Sequence, residues 1–361
     1  MESKKFLFIL PAKEENLPYI STYKSILDTH NVNYRVIYWN RHRDAHNYSD
    51  NYIAYEKETN DEYSAPRKIY DIYRFYRFVL KHLKKVSYDG IFIYTIADSI
   101  FFYKYLSKHY KNRYVFDIRD YSPILKFPYF KYALNHLLNK SAFNVISSEG
   151  FKQFLPQEES YVITHNITLN EIENANIHNN NCNQDKPYNI ITIGKLRDEK
   201  VNIDIIKTLG NRTDIKLSFV GMGPASQTIK NHVERNKPFN VTITGKYLKQ
   251  DEDKYVLNAN MLNVCMEQNI LSKYLLSNRL YLGARLRRPL LTYDDDYQSL
   301  IIKKYKLGLL VSRNENIYDK IINYWETFDY DMYNQGCIWF LHDVENDLKN
   351  FEKKIVKFIT E

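Results

Sequence analysis

The segment Ile193-Gly194-Lys195-Leu196-Arg197-Asp198-Glu199-Lys200 follows an apolar run and sets two lysines five residues apart behind a glycine. Glycine lets a ligand approach the backbone and lysine is a compact phosphate-binding charge, so such a strand-to-helix loop can aim Lys195 and Lys200 at one diphosphate. The same residues also suit an ordinary solvated turn. A second candidate, Val220-Gly221-Met222-Gly223-Pro224, follows the next apolar run, and its backbone N–H groups can meet phosphate. The helix after it is expected to open with Pro224 at its first position. No third glycine stands at the dinucleotide-fingerprint offset, which makes this pair a weak signal taken alone. Third, Ser277-Asn278-Arg279 opens a helix expected to reach Leu286, with Ser277 or Asn278 as cap. The positive helix end together with Arg279 makes an anion site, and a plain N-cap fits as well.

Two further clusters carry charge. Asp294-Asp295-Asp296 has the carboxylate density of a divalent-metal clamp, yet it follows one apolar run and precedes a helical pattern, where acids cap and complement the helix dipole. The expectation is a helix start, with no metal and no redox cofactor. From Arg67 to Lys85 seven Lys or Arg residues face one acid, Asp71. On a helix, Ile69, Ile72, Tyr73, Tyr76, Val79, Leu80 and Leu83 form one apolar face, which leaves Phe75 and Phe78 nearer the basic side with Arg74, Arg77 and Lys81. That face suits an anionic membrane surface or acceptor. Both rings packed under a neighbouring element is the other reading.

These loops need strands to position them, and short apolar runs alternate with helical-period segments along the whole chain, the βαβα signature of an α/β fold with parallel sheets. The expected strands are 5–10, 34–38, 90–94, 114–118, 143–146 and 161–164, then 189–193, 216–220, 241–244, 261–265, 289–292 and 308–311. The Asn-rich stretch 171–187 reads as a linker between an N-terminal domain, 1–170, and a C-terminal one, 188–343. A chain of 361 residues fits two domains. Val344, Leu348, Phe351, Ile355 and Phe358 recur every three or four residues, so 344–361 is expected as an amphipathic helix packing back on the first domain.

The net charge of +8 implies an anionic partner. Zinc-finger spacing, an aromatic ribonucleoprotein motif and a long basic tail are all lacking, which argues against nucleic acid. Cys182, Cys265 and Cys337 are odd in number and far apart, which suits a reducing cytoplasm better than a disulfide framework. The apolar run Phe6–Leu10 is too short for a signal-peptide core or a membrane span.

In register, the three phosphate-binding candidates stand in the order found in donor domains of retaining GT-B glycosyltransferases, and the chain resembles glycosyltransferase family 4. The family's glycine, Arg or Lys, Leu, three residues, Lys motif is similar to Gly194, Lys195, Leu196 and Lys200, and its Val-Gly-x-Gly-Pro to Val220 through Pro224. Its strand-end glycine before the base-binding loop resembles Gly245-Lys246-Tyr247. Its Asn-Lys-Leu-Phe-Glu helix followed by Gly-x-Pro-Val-Val resembles Asn278-Arg279-Leu280-Tyr281-Leu282 through Pro289-Leu290-Leu291. The resemblance covers most of residues 85 to 312, with specific motifs in the second half only.

The resemblance implies two Rossmann-like doubly wound domains facing across a cleft. Lys195 and Lys200 would neutralise a donor diphosphate, Gly221 and Gly223 would let it approach the backbone, and Gly245 to Tyr247 would hold the base. The family's ribose-binding glutamate falls on Leu282 and its helix-end glycine on Arg287. Either Glu267 substitutes from the preceding strand end, or the chain keeps the fold without the activity. The first half resembles the family through Val115 to Asp120, Ser147 to Phe151 and His165-Asn166, where Asp120 would orient or deprotonate an acceptor hydroxyl; a capping or Arg-paired aspartate is the other reading. The implied activity is a cytoplasmic, peripherally membrane-bound, retaining transfer from a nucleoside-diphosphate sugar to a glycan or polyprenyl-linked glycan acceptor of a bacterial surface polysaccharide. A nucleotide-sugar epimerase or hydrolase, and a silent partner subunit of a glycan-assembly complex, are the alternatives.

Overall fold

Apolar runs bounded by turn residues form strands throughout the computed structural model, which describes residues 4–43, 48–60, 63–157, 160–177 and 184–361. The chain divides into two compact units, Met1–Asn166 with Asp347–Glu361, and Ile167–Asn346. The expected Cys182 and Asn179–Asn183 lie outside the described residues.

In the first unit β1 (Lys5–Leu10), β2 (Asn33–Asn40), β3 (Tyr52–Glu56), β4 (Gly90–Tyr94), β5 (Tyr114–Ile118), β6 (Phe143–Ile146) and β7 (Tyr161–Ile163) form one parallel sheet in the order β3-β2-β1-β4-β5-β6-β7. β4 and β5 are buried along their whole length, as strands covered by helices on both faces must be, and this is why they read as unbroken apolar runs. In the second unit β8 (Tyr188–Ile193), β9 (Ile215–Val220), β10 (Val241–Gly245), β11 (Met261–Asn263), β12 (Leu290–Tyr293) and β13 (Gly308–Val311) form a second parallel sheet, β10-β9-β8-β11-β12-β13. In each sheet the order reverses beside its first strand, at β1/β4 and at β8/β11. Loops leaving the carboxyl ends of such neighbours part to opposite faces and open a crevice between them.

The C-terminal helix is longer than its periodic tail suggested, Tyr330–Thr360, and its residues up to Asn346 belong to the second unit. Beyond that point Phe351, Ile355 and Ile359 enter the core of the first unit with Phe8, Tyr23 and Phe92. The tail therefore packs on the first domain as expected.

Several expectations need correction. The sheet-edge strand β3 lies outside the expected strands: its short run Tyr52-Ile53-Ala54-Tyr55 is set between polar stretches and is only half-buried. Part of the Asn-rich stretch is a helix, Leu169–Ile177, opened by a reciprocal cap: Thr168 Oγ1 accepts from the Glu171 N–H (3.2 Å), and the Glu171 carboxylate accepts from the Thr168 N–H (2.8 Å). The helix after the second glycine pair begins at Ser226, two residues beyond Pro224.

The basic helix Ala65–Leu83 is rotated from its expected setting. Its buried column is Asp71, Phe75, Val79 and Leu83, and Phe75 stacks on Trp39 with ring centroids 5.6 Å apart. Phe78 is half-buried against Tyr55. Neither ring serves as the outward membrane contact foreseen for it. Tyr73, expected on the apolar face, is exposed, while Tyr76 is half-buried and Arg74, Arg77 and Lys81 are exposed as expected. Among the described residues no helix is long and apolar enough to cross a membrane.

Candidate active site

The loops leaving β8, β9 and β10 are stitched to one another by backbone hydrogen bonds. Gly194 N–H donates to Val220 O (2.9 Å), Gly221 N–H to Gly245 O (2.7 Å) and Leu196 N–H to Met222 O (3.3 Å). A Cβ on Gly221 would lie 1.9 Å from Gly194 O, and one on Gly223 would lie 2.2 Å from Leu196 O. These two glycines therefore let one strand-end loop rest on the next. Gly245 has open space where a side chain would stand, and at Gly194 the nearest atom to such a side chain is Tyr247 Oη at 4.0 Å.

Lys195, Lys246 and Lys200 are exposed, and Lys200 is the second residue of the helix Glu199–Leu209. Lys200 N–H donates to Glu267 Oε1 (2.9 Å), while Glu267 N–H donates to Asp198 Oδ1 (2.9 Å). This pair of bonds ties the loop after β8 to the loop after β11 across the switch point. Glu267, the acid expected to replace the ribose glutamate, caps the helix, so its carboxylate occupies a spot where a helix end attracts anions. Leu282, at the family's glutamate position, is buried.

Ser277 caps the helix Asn278–Leu286 by accepting from Arg279 N–H (3.3 Å), and Asn278 is exposed beside it. Arg279 donates through Nη1 to Asn263 O (2.8 Å) at the end of β11. Burial pushes the guanidinium pKa down, opposed by Asp198, Cys265 and Tyr247 nearby. Tyr247 donates to Glu252 Oε1 (2.5 Å), and burial raises its pKa. The structure thus gathers Gly194, Asp198, Lys200, Tyr247, Glu267 and Arg279 at the carboxyl ends of β8, β10 and β11. Arg287 takes a left-handed conformation that favours glycine (φ 55) and is held by Asn334 Oδ1 (2.7 Å) and Ala284 O (2.6 Å).

Sequence reading missed a cavity of about 320 Å³ beside Glu267, lined also by Lys273, Tyr274, Asp295, Asp296 and Arg313. Loops after three different strands build it, so no local motif announces it. Asp296 caps the helix Tyr297–Tyr305 by accepting from Ser299 N–H (2.7 Å); burial, with Asp295 adding, pushes its carboxyl up to about 6. Asp295 pairs with Arg313 (2.5 Å), and Asp294 accepts from Ser312 Oγ (2.8 Å).

In the first unit Asp120 is exposed just beyond the end of β5. Behind it lies a buried ion pair that the sequence did not single out: Asp117 Oδ2 accepts from Arg119 Nη2 (2.5 Å) and Tyr23 Oη (2.7 Å). Burial raises the Asp117 carboxyl above its usual range, and Arg119 counteracts this. Arg119 stacks over Tyr19 at 4.1 Å and reaches Asn166 Oδ1 (3.4 Å), joining the ends of β5 and β7. Ser148 caps the short helix beginning at Glu149, and His165 Nε2 meets Asp347 Oδ2 at 2.9 Å. The loops after β5, β6 and β7 are thereby fixed around Asp120.

Two parallel sheets with crevice-lining loops at their strand ends are an architecture shared with known structures. It is a GT-B fold. The lipopolysaccharide outer core galactosyltransferase WaaB superposes with a TM-score of 0.63 at 15% identity, covering 98% of this chain and 99% of WaaB. UDP-N-acetylglucosamine 2-epimerase from Rickettsia bellii gives 0.65 at 11%, covering 99% and 97%. HepE from Anabaena, solved in complex with UDP and glucose, gives 0.61 at 11%, covering 99% and 100%. No protein-family model and no curated protein sequence matches the chain. At these identities the likeness establishes the fold.

Proposed function

We propose that the chain transfers a sugar from a nucleoside-diphosphate sugar to a glycan or polyprenyl-linked glycan acceptor in bacterial surface-polysaccharide synthesis, with retention at the anomeric carbon. The observation that carries this reading is the cluster at the β8/β11 switch point, where Arg279 heads one helix, Lys200 heads another and Gly194 leaves open space. Two helix ends with cationic side chains at one crevice favour a diphosphate over a neutral ligand. Lys195 stands one residue past the same open glycine. Tyr247 would stack on the base, and Glu267 would release Lys200 N–H to the donor and turn to the ribose. The hydroxyl-binding groups of the adjoining cavity, Asp295, Asp296 and Arg313, suit the sugar.

In this mechanism the bond between the anomeric carbon and the diphosphate oxygen breaks as the acceptor oxygen bonds to that carbon on the same face. The acceptor proton passes to the departing phosphate oxygen. Lys195, Lys200 and Arg279 stabilise the charge that builds there, and Asp120 orients the acceptor hydroxyl. No metal or redox cofactor enters the scheme.

The epimerase neighbour keeps a second reading in view, that of an enzyme altering the donor without an acceptor. Incubation with sugar nucleotides, with and without a lipid-linked glycan acceptor, separates them. Nucleoside diphosphate released only with acceptor, and slowed in Asp120→Asn at unchanged donor affinity, supports transfer. Altered or free sugar formed without acceptor refutes it.

A further inference from the structure

One face of the first unit is unusual in both its rings and its charges. The helices Ala65–Leu83 and Pro128–Lys140 are joined through the short helical turn Ile100–Phe102, which leads into the helix Tyr103–His109, by ring contacts: Tyr73 to Phe101 (5.6 Å), Phe101 to Phe130 (6.1 Å) and Phe130 to Tyr129 (5.4 Å). Tyr129 and Tyr132 in turn both pack on Tyr103, at 6.1 and 6.2 Å. Unlike a core cluster, this one is open to solvent: Phe127, which meets Phe130 at 6.4 Å, is 59% exposed, Tyr129 54% and Tyr132 60%. Exposed large rings scattered singly need no explanation, but a contiguous row does.

The cations surround these rings. Arg74 lies over the Tyr70 ring (6.0 Å), Arg77 donates to Tyr73 Oη (3.3 Å) and Lys104 lies over the Tyr103 ring (5.7 Å). Lys126 and Lys131 are exposed on either side of Phe127 and Tyr129. From Phe101 to Lys140 eight Lys or Arg residues accompany only two acids, Asp117 and Asp120. Asp117 is buried against Arg119, and Asp71, the one acid of the Arg67–Lys85 stretch, is buried with Arg67 at 3.3 Å.

We propose that this face docks on an anionic lipid bilayer, with Phe127, Tyr129 and Tyr132 entering the headgroup layer and Arg74, Arg77, Lys104, Lys126 and Lys131 meeting lipid phosphates. Tyrosine ringed by Lys and Arg matches the interface chemically, because its ring is apolar and its hydroxyl wet, and Phe127 adds a purely apolar ring. The contact differs from the one expected from sequence: Phe75 and Phe78 turn inward, and the inserting rings come from the Pro128–Lys140 helix and the residue before it. A lipid-linked acceptor for the transfer reaction would lie in such a membrane. The surface is nonetheless tested without any donor, so its failure would leave the transfer reading intact.

The test is co-sedimentation of the full chain with phosphatidylcholine vesicles, with and without phosphatidylglycerol. The parent should partition onto the anionic vesicles and be released by salt. Lys126→Glu/Lys131→Glu should lower that partition by about 30-fold or more, from about one kcal/mol per basic residue at the surface. Phe127→Trp should gain an emission component that brominated phosphatidylglycerol vesicles quench. Equal binding of the parent to neutral and anionic vesicles, unchanged binding of the Lys126→Glu/Lys131→Glu protein, or an unquenched Trp at 127 would each overturn the proposal. Both replacements lie at exposed positions, and a thermal melt matching the parent verifies that they fold.

Discussion

Gly221→Ala and Gly245→Ala form a matched pair that tests how the donor-side loops are built. Both positions have positive φ, 126° and 75°. At Gly245 a Cβ meets nothing within 4 Å, so the cost is the left-handed conformation alone, about 1–2 kcal/mol for an L-residue. At Gly221 the Cβ would lie 1.9 Å from Gly194 O, and relief requires the two loops to part by roughly 1 Å or more. That movement strains or breaks the bonds Gly221 N–H to Gly245 O (2.7 Å) and Gly194 N–H to Val220 O (2.9 Å), each worth about 0.5–1.5 kcal/mol. Together with the backbone term, Gly221→Ala should destabilise the second unit by about 2–5 kcal/mol, against about 1–2 for Gly245→Ala. Urea unfolding followed by circular dichroism and fluorescence gives both values. Equal losses in the two variants, or a Gly221→Ala protein within about 0.5 kcal/mol of the parent, would refute the loop-on-loop account.

Asp296 makes stability depend on pH. Its folded-state pKa of about 6 lies above its unfolded value, so the native state carries no penalty below the unfolded pKa and an increasing one as pH rises through the folded pKa. Asp296→Asn keeps an N-cap acceptor for Ser299 N–H and removes the penalty. It should stabilise the chain by up to about 2–3 kcal/mol near pH 7.5 and by little near pH 4; the same increment at both would contradict the assignment. Arg287→Gly should relieve about 1 kcal/mol of left-handed strain but lose the buried bonds to Asn334 and Ala284, for a net loss of about 1–3 kcal/mol in urea unfolding. A more stable glycine variant would show that those bonds contribute nothing.

What the sequence disclosed follows from physical signals. β8 and β12 are central strands buried along nearly their whole length, β9 alternates Lys216 and Ser218 with buried Leu217 and Phe219, and their ends are marked by Gly194, Gly221 and Asp294-Asp295-Asp296. The glycine loops and the Ser277 cap are local features and were readable for the same reason. β3 lies at a sheet edge, half-exposed, and its four-residue run Tyr52–Tyr55 is short and flanked by polar residues. The setting of the basic helix depended on whether tyrosine is core or surface, which its partners Trp39 and Tyr55 decide and its own period does not. The helix Leu169–Ile177 carried a Thr168/Glu171 capping-box signal that the surrounding asparagines masked. The Asp117–Arg119 pair and the Asp295–Arg313 cavity are tertiary: one needs Tyr23 from another helix, and the other joins loops 18 residues apart.

In the proposed mechanism Lys195 and Lys200 act as one clamp on a diphosphate, beside the helix end that Arg279 heads. Calorimetric titration of a nucleoside diphosphate and its monophosphate into the parent, Lys195→Ala and Lys200→Ala proteins tests it most directly. Both lysines are exposed, so both variants should fold with stability within about half a kcal/mol of the parent. The parent should prefer the diphosphate, and each variant should lose that preference, with turnover falling further than affinity because charge builds on the leaving diphosphate. If both variants keep the parent's preference and its turnover, the diphosphate binds elsewhere and the account fails.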